Sequence, residues 1–424
     1  MRRFLSIAFV MSVLPAAALA QPMPDPAAPP ADPLPPPTEA PAPAAPVPVQ
    51  AAPEPPKPPK PSDAKPGIAG FDKGFFIKTD DGSYSLKITG RVQPFYTLTR
   101  TNAPKDYLSE FEIRRARLVL EGNIHSSKLL YKMQSDFGKG FVTLKDFHAD
   151  VEISKGIWVR GGQWKRPFSR QQITSSGRLE VTDRAITDRA FGAGRDIGVA
   201  IRNDYEKSPE LEWIVGVFNG TGDAAKITST TMNDAMGNPV TTTGLPTNVP
   251  KKNRPAVIAR VGINRNGLKG YTEADLEGGP VRFGGAASVW LEGDFDDDKK
   301  SNQKLELDYV IKAEGLSTTG SLYMQTDQDG DSVTDAKKSL IGFHLQAGYM
   351  VVPKHWQIVG RYALVNDWAT KDTSAKDQQE ISVGGNYFAL GHDAKLAAAL
   401  RLIKTGDASF KDVVLFELGA NVGF

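Results

Sequence analysis

The chain has 424 residues, a formal net charge of +2 and no cysteine, which excludes a disulfide framework and a thiolate metal site. With so small a net charge, any preference for anions must come from where the charges sit and not from their sum.

The chain begins "MRRFLSIAFVMSVLPAAALAQ". Two arginines, a short apolar run and Ala18-Leu19-Ala20 make the three parts of a secretory signal peptide, residues 1–20, with cleavage expected after Ala20. A transmembrane anchor is the alternative, but Pro15 interrupts the apolar run. Residues 21–66 hold 20 of the 31 prolines and read as a disordered, extended tether on the periplasmic side. It is either a plain spacer or an arm that touches the cell wall. Residues 67–424 contain no second linker and read as one domain.

From residue 84 apolar residues alternate with polar ones, the period of a β-strand. Tyr84, Leu86, Ile88, Val92, Tyr96 and Leu98 oppose Lys87, Thr89, Arg91 and Gln93. In "FEIRRARLVLEG" (111–122) the parity breaks: Phe111 and Ile113 are apolar at odd positions, Ala116, Leu118 and Leu120 at even ones. A bulge near Arg114–Arg115 reconciles the two registers. One arginine on a lipid face near the bilayer midplane costs about 2–4 kcal/mol. Arg114, Arg115 and Arg117 are therefore expected to face a lumen, the alternative being a place at the outer rim.

Further on, Leu129, Tyr131, Met133 and Phe137 oppose Lys132, Gln134 and Asp136. "DFHAD" puts Asp146, His148 and Asp150 on one strand face. A polar lumen accounts for them, no partner nucleophile is evident, and no P-loop, dinucleotide fingerprint or HExxH occurs. Neither catalysis nor a cofactor is expected. After Arg160 comes "KRPFSRQQITSSGRLEVTDRAITDRAFGAGRD", which between residues 165 and 195 carries Lys165, Arg166, Arg170, Arg178, Arg184, Arg189 and Arg195 against three acids, Glu180, Asp183 and Asp188. Such a loop can fold into a barrel and narrow it, offering guanidinium donors to phosphate or carboxylate oxygens; display at the outer surface is the alternative. "DFDDDKK" (294–300) reads as a solvated loop. "DQDGDSVTD" (327–335) lacks the glycine and closing glutamate of a calcium loop, so no metal is expected. The last strand, "VVLFELGANVGF", sets Val414, Phe416, Leu418, Ala420, Val422 and Phe424 against Glu417, Gly419, Asn421 and Gly423.

The segments total sixteen: 84–100, 110–124, 127–138, 142–154, 157–164, 195–205, 210–220, 255–265, 280–293, 303–314, 316–327, 339–352, 356–368, 378–390, 393–405 and 411–424. An even number of two-faced strands suits an all-β, antiparallel transmembrane barrel. The longer connections (101–109, 165–194, 221–254, 294–302, 328–338, 369–377) all fall at odd positions, as external loops should. One even connection, 266–279, is longer than that rule allows. A soluble β-sandwich also has two-faced strands, but it would bury its apolar faces against each other.

"DDGSYSLKITGRVQ", "FEIRRARLVLEG", "QSDFGKG", "VRGGQWKRPFS", "GRDIGVAI" and "VGVFNG", in this order, together resemble the phosphate-selective porin O/P family. The resemblance covers most of 80–220. It implies a sixteen-stranded, usually trimeric outer-membrane porin whose lumen carries an arginine ladder and lysines guiding inorganic phosphate. On it, Arg114, Arg115 and Arg117 match the family's RRAR-type motif, and Lys165 and Arg166 its GQxK.P stretch. The final Val422-Gly423-Phe424 resembles the signal read by the barrel assembly machinery.

The reading that emerges is a Gram-negative outer-membrane porin, not an enzyme, passing small hydrophilic solutes with a lean toward anions, phosphate foremost. The expected pore-lining residues are Lys87, Arg91, Arg114, Arg115, Arg117, Lys132 and Arg160, with Lys165, Arg166, Arg170, Arg178, Arg184, Arg189 and Arg195 on the constricting loop. The expected partners are small anions, lipid and lipopolysaccharide, the assembly machinery through Phe424, and further copies in a homotrimer. Nucleic acid is excluded, because the basic residues lack aromatic interleaving. A general non-specific porin and an envelope tether anchored by its barrel are the competing functions; a barrel lipase would need a Ser–His pair that the sequence lacks.

Overall fold

A strand with one apolar and one polar face is stable only where each face meets its own surroundings, and closing the sheet into a cylinder meets that demand. The computed structural model describes residues 68–102, 105–192, 194–220, 222, 229–233, 239–243, 255–293, 301–328, 338–367, 377–406, 409–410 and 413–424. Expectations for the signal peptide, the tether and the acidic loop at 294–300 lie outside these residues, as do most of 221–254 and of the rejected calcium loop.

The described chain starts with a hairpin, β1 (Ile68–Phe71) and β2 (Phe75–Lys78). One arc of the barrel follows: β3 (Ser85–Asn102), β4 (Lys105–Ile124), β5 (Ser126–Asp136), β6 (Thr143–Ser154), β7 (Ile157–Lys165), β8 (Arg195–Arg202) and β9 (Leu211–Phe218). A separate hairpin, β10 (Ser229–Asn233) and β11 (Pro239–Thr243), pairs only with itself. The second arc is β12 (Ala256–Arg265), β13 (Arg282–Gly293), β14 (Ser301–Ala313), β15 (Leu316–Gln328), β16 (Lys338–Val352), β17 (Trp356–Asp367), β18 (Gln378–Leu390), β19 (Ala394–Thr405) and β20 (Val413–Gly423). All neighbours are antiparallel. β9 joins β12 and β20 joins β3, so sixteen strands close with no free edge.

These sixteen correspond one for one with the expected segments. Two details differ. Most of 101–109 continues β3 and β4 as strand where a loop was expected, and the β1–β2 hairpin was not anticipated. The hairpin lies where the barrel closes: Phe424 exchanges two backbone hydrogen bonds with Gly90 (3.0 and 3.1 Å), and β2 then takes over as partner of Ser85–Ile88.

The sheet is inverted relative to a soluble protein. On β12, Val257, Val261 and Ile263 are exposed on the outside while Arg260 and Asn264 are each 2% exposed. On β20, Phe416, Leu418 and Val422 face out and Glu417 and Asn421 are buried. A sandwich would show the reverse, so hydrocarbon outside and polar groups inside is the arrangement that satisfies both faces.

The bulge expected near Arg114–Arg115 is present. The β3–β4 register passes from Gln93↔Arg115 to Pro94↔Ile113, leaving Arg114 without a partner residue. Pro94 has no N–H to complete the ladder there, which is why the extra residue is tolerated.

Candidate functional site

The bulge and the parity of β4 aim all three arginines at the interior. Arg114 donates to Glu112 (2.7 Å), Glu417 (2.9 Å) and Thr97 (3.1 Å), and its guanidinium lies 3.9 Å from the Phe95 ring centre. Arg115 reaches Asp183 at 3.4 Å, and Arg117 donates to Asp136 at 2.8 Å. Asp136 also accepts from the N–H groups of Ala116 and Gly138, stapling the end of β5 to β4.

The connection from β7 to β8 lies inside the cylinder. Its first helix, α1 (Arg170–Ile173), starts at Ser169, and Glu306 of β14 accepts from the N–H groups of Ser169 (2.6 Å) and Arg170 (3.0 Å). A carboxylate is favoured at such a helix start because the first N–H groups have no partner within the helix. At the other end, Lys165 donates to the carbonyls of Ile173 and Thr174, and Arg184 to those of Gln171 and Thr174. Arg170 binds Asp308 at 2.6 Å, and Asp308 in turn holds Arg260, whose guanidinium also meets Glu212 at 3.1 Å. The second helix, α2 (Ile186–Phe191), seats Phe191 against Tyr323 with ring centres 5.0 Å apart. The main buried apolar cluster, with Trp164, Phe168, Phe218 and Trp290, therefore lies between this loop and the wall.

A row of alternating charges clamps the loop farther along. Arg114, Glu417, Arg401, Glu380 and Arg361 lie on β4, β20, β19, β18 and β17 and form successive ion pairs of 2.9, 3.4, 3.2 and 2.5 Å. They grip the loop: Thr182 donates to Glu417 (2.6 Å), the Ile186 N–H to Glu380 (3.0 Å), and Arg361 to the carbonyl of Asp183 (2.8 Å). Burial pushes the Asp183 carboxyl up, but Arg115, Arg401 and Arg114 outweigh it and hold it well below the usual carboxylate range.

The over-long connection 266–281, between β12 and β13, reaches inward from the opposite end and meets this loop. Tyr271 donates to Glu212 at 2.7 Å. Glu273 accepts from the N–H of Glu180 (2.7 Å), and its own N–H donates to the carbonyl of Arg178 (3.3 Å). Gln346 donates from one nitrogen to both Glu180 and Glu273, each at 2.8 Å. Glu180 also accepts from Ser317 and from Gln357. Gly348 leaves the space this requires, since a Cβ there would lie 2.6 Å from the Glu180 carboxylate. Burial first, and then Glu273, raise the Glu180 carboxyl to about 7.

Between the two intruding segments and the β4–β8 wall remains a cavity of about 260 Å³. Six cations line it, Arg117, Lys132, Arg160, Lys165, Arg178 and Arg195, against two carboxylates, Asp146 and Glu206. A second cavity, of about 390 Å³, shares Lys132, His148, Arg160 and Glu206 with the first and extends toward the short-turn end beside Ser85 and Asn123. Its charges balance: Lys132, Arg160, Arg202 and Lys207 against Glu121, Asp150, Asp204 and Glu206. Arg160 binds Asp150 (2.8 Å) and Glu206 (3.0 Å), Arg195 binds Asp146 (2.7 Å), and Lys132 lies 3.1 Å from Glu121. Burial raises the Glu206 carboxyl, and Arg160 more than reverses this.

The expected site residues thus divide. Six line the 260 Å³ cavity. Arg91 donates to Ser175 (2.7 Å) and Ser176 (2.8 Å), and Arg166 pairs with Asp196 (3.3 Å) under the Trp290 ring. Arg114, Arg115, Arg170 and Arg184 serve the clamps described above. Arg189 is exposed on α2, and Lys87 sits opposite Phe76 of β2, away from the cavity. Arg202, Arg260, Arg361, Arg401, Glu206 and Glu273 were missed. Parity on the strands was a usable signal for the arginines: Arg260, flanked by outward-facing Ala259 and Val261, occupies the wet face of β12 as plainly as Arg91 does that of β3.

No curated protein matches the chain. Among solved structures it is similar to the anion-selective porin of Comamonas acidovorans (12% identity, TM-score 0.54, covering 80% of this chain and 100% of that one). It is also similar to the outer membrane channel DcaP of Acinetobacter baumannii (14% identity, TM-score 0.55, covering 84% and 100%). At such identities the likeness speaks for the fold. The family model described as phosphate-selective porin O and P matches residues 86–406, more than half of the sequence. By that match the barrel is an outer-membrane porin, and the chain belongs to the phosphate-selective porin O and P family.

Proposed function

We propose that the protein passes small hydrophilic solutes across the outer membrane with a preference for anions, inorganic phosphate foremost, through the β4–β8 side of the lumen. The observation that carries this reading is the lining of the 260 Å³ cavity by six cations against two carboxylates. In a space of low dielectric such an excess raises the local concentration of anions and disfavours cations. The loop 165–194 narrows the path. Most of the lining cations already hold a carboxylate or carbonyl, which supports weak, successive contacts that let an anion leave again.

The remaining assignments follow the same reading. Residues 1–20 direct export, 21–66 form a periplasmic tether, and the short-turn end faces the periplasm. Phe424 addresses the chain to the assembly machinery. Tyr107, Phe111 and Ile113, exposed on the outer face of β4, support packing against further copies in a homotrimer.

Phosphate titration of the chloride current through single channels tests the solute. A reduction that saturates with phosphate supports phosphate binding in the bore. Chloride selectivity with no effect of phosphate leaves a general anion porin, the reading that the extensive internal pairing of the arginines favours next.

A further inference from the structure

Five of the six cavity-lining cations hold a partner: Arg117, Lys132, Arg160 and Arg195 have carboxylates, and Lys165 has two helix carbonyls. Arg178 is the exception. Its side chain is exposed to the cavity and makes no hydrogen bond or ion pair among the described residues. A guanidinium without an internal partner keeps its donors for a passing anion, so the position of Arg178 matters more than that of its paired neighbours.

Two contacts fix that position. On one side Arg91 grips Ser175 and Ser176 with two nitrogens, so close that a Cβ on Gly177 would lie 2.6 Å from its guanidinium. On the other, Glu273 holds the chain on both sides of Leu179, donating its N–H to the Arg178 carbonyl and accepting from the Glu180 N–H. The second contact comes from the opposite face of the membrane, from the connection that broke the rule of short turns.

We propose that Glu273 is the positioning residue for Arg178, and that the Glu180–Glu273 carboxyl pair makes the anion selectivity of the pore depend on pH. The proposal rests on the anion-porin reading above. The pair is packed from every side. Ser317 on β15, Gln346 on β16 and Gln357 on β17 donate to the Glu180 carboxylate, and Asn386 on β18 donates to its carbonyl. Lys312 on β14 and Lys395 on β19 are the cations within electrostatic reach, and each already donates to a main-chain carbonyl, Ala274 or Leu179. A proton on Glu180 lets its carboxyl stay beside that of Glu273 under Gln346, which donates to both. Loss of that proton puts two negative charges there, which pushes the periplasmic turn away from the loop and releases Arg178.

The test is the reversal potential of the full-length porin in planar bilayers under a potassium chloride gradient, at about pH 5.5 and about pH 8.5. The wild type should lose about twofold in chloride-over-potassium preference at the higher pH. Glu180→Gln and Glu273→Gln, which cannot ionise there, should hold the low-pH preference at both. Arg178→Gln should lower the preference at both and abolish its pH dependence. Glu273→Ala should resemble Arg178→Gln while keeping the heat-modified gel mobility of a folded barrel. A wild type without anion preference at either pH overturns the porin reading itself. An anion-selective wild type whose Glu273 and Glu180 variants copy its pH profile overturns only this proposal.

Discussion

The two arcs of the barrel use the same residue types for different ends. Along β12–β20, arginines and carboxylates occur in near balance, and each pair also holds a segment of the inserted loop: Arg260 with Asp308, Arg361 and Arg401 with Glu380, Arg401 with Glu417. Along β4–β8 ion pairs also occur, but around the 260 Å³ cavity cations outnumber acids, and space remains. Charge in a lumen therefore does two jobs. Where it is matched, it acts as mortar for a constricting loop, and where it is in excess beside water, it sets the field that a solute meets.

The comparison can be broken at either side, and the largest effects belong to the mortar. Arg260→Met leaves Glu212 and Glu306 buried without their cation and Asp308 with Arg170 alone, which should cost about 3–5 kcal/mol. A lowered heat-modification midpoint in detergent would show it, along with a raised single-channel conductance as the loop loosens. Glu380→Gln removes the charge that Arg361, Arg401 and the Ile186 N–H share. A cost of about 1–3 kcal/mol is expected, with noisier current but little change in ion preference. On the open side the balance reverses. Arg195→Gln uncovers the Asp146 charge in the cavity and should lower the chloride-over-potassium preference about two- to threefold, with a smaller change in stability.

The pH effect on stability is smaller still. Because the Glu180 carboxyl is raised from 4.5 to about 7, the folded state favours its protonated form. The stability this adds is complete below about 4.5 and is lost as pH rises through about 7. Midpoints of heat modification should fall over that window, and Glu180→Gln should flatten the curve. Deletion of residues 21–66 should leave conductance and selectivity unchanged. A change in either would give those residues a part in the channel.

How far the sequence could be read follows from the same physics. Strand number was legible because each strand repeats a two-residue period, and the bulge because that period slipped between Ile113 and Ala116. The over-long connection 266–279 was visible as an exception, but its inward course was not. Its contacts are with residues far away in the chain: Glu273 with Gln171 and Glu180, 102 and 93 positions earlier. Arg170 likewise finds Asp308 across 138 positions. Nothing local distinguishes an arginine that will be matched across the lumen from one that will not. Arg114, Arg170 and Arg184 therefore looked the same as Arg178 until the walls closed around them. Residues on strands were better forecast than those on the loop, because parity alone decides which way a strand residue points.

The claim on which the rest depends is that water and excess positive charge share the β4–β8 side of a lipid-bounded cylinder. Reversal potential across a planar bilayer under a potassium chloride gradient measures this directly. The account predicts the sign for chloride passing more readily than potassium, with the preference weakened by Arg178→Gln. A potential of the opposite sign, or one set by potassium and indifferent to the lining arginines, would contradict it.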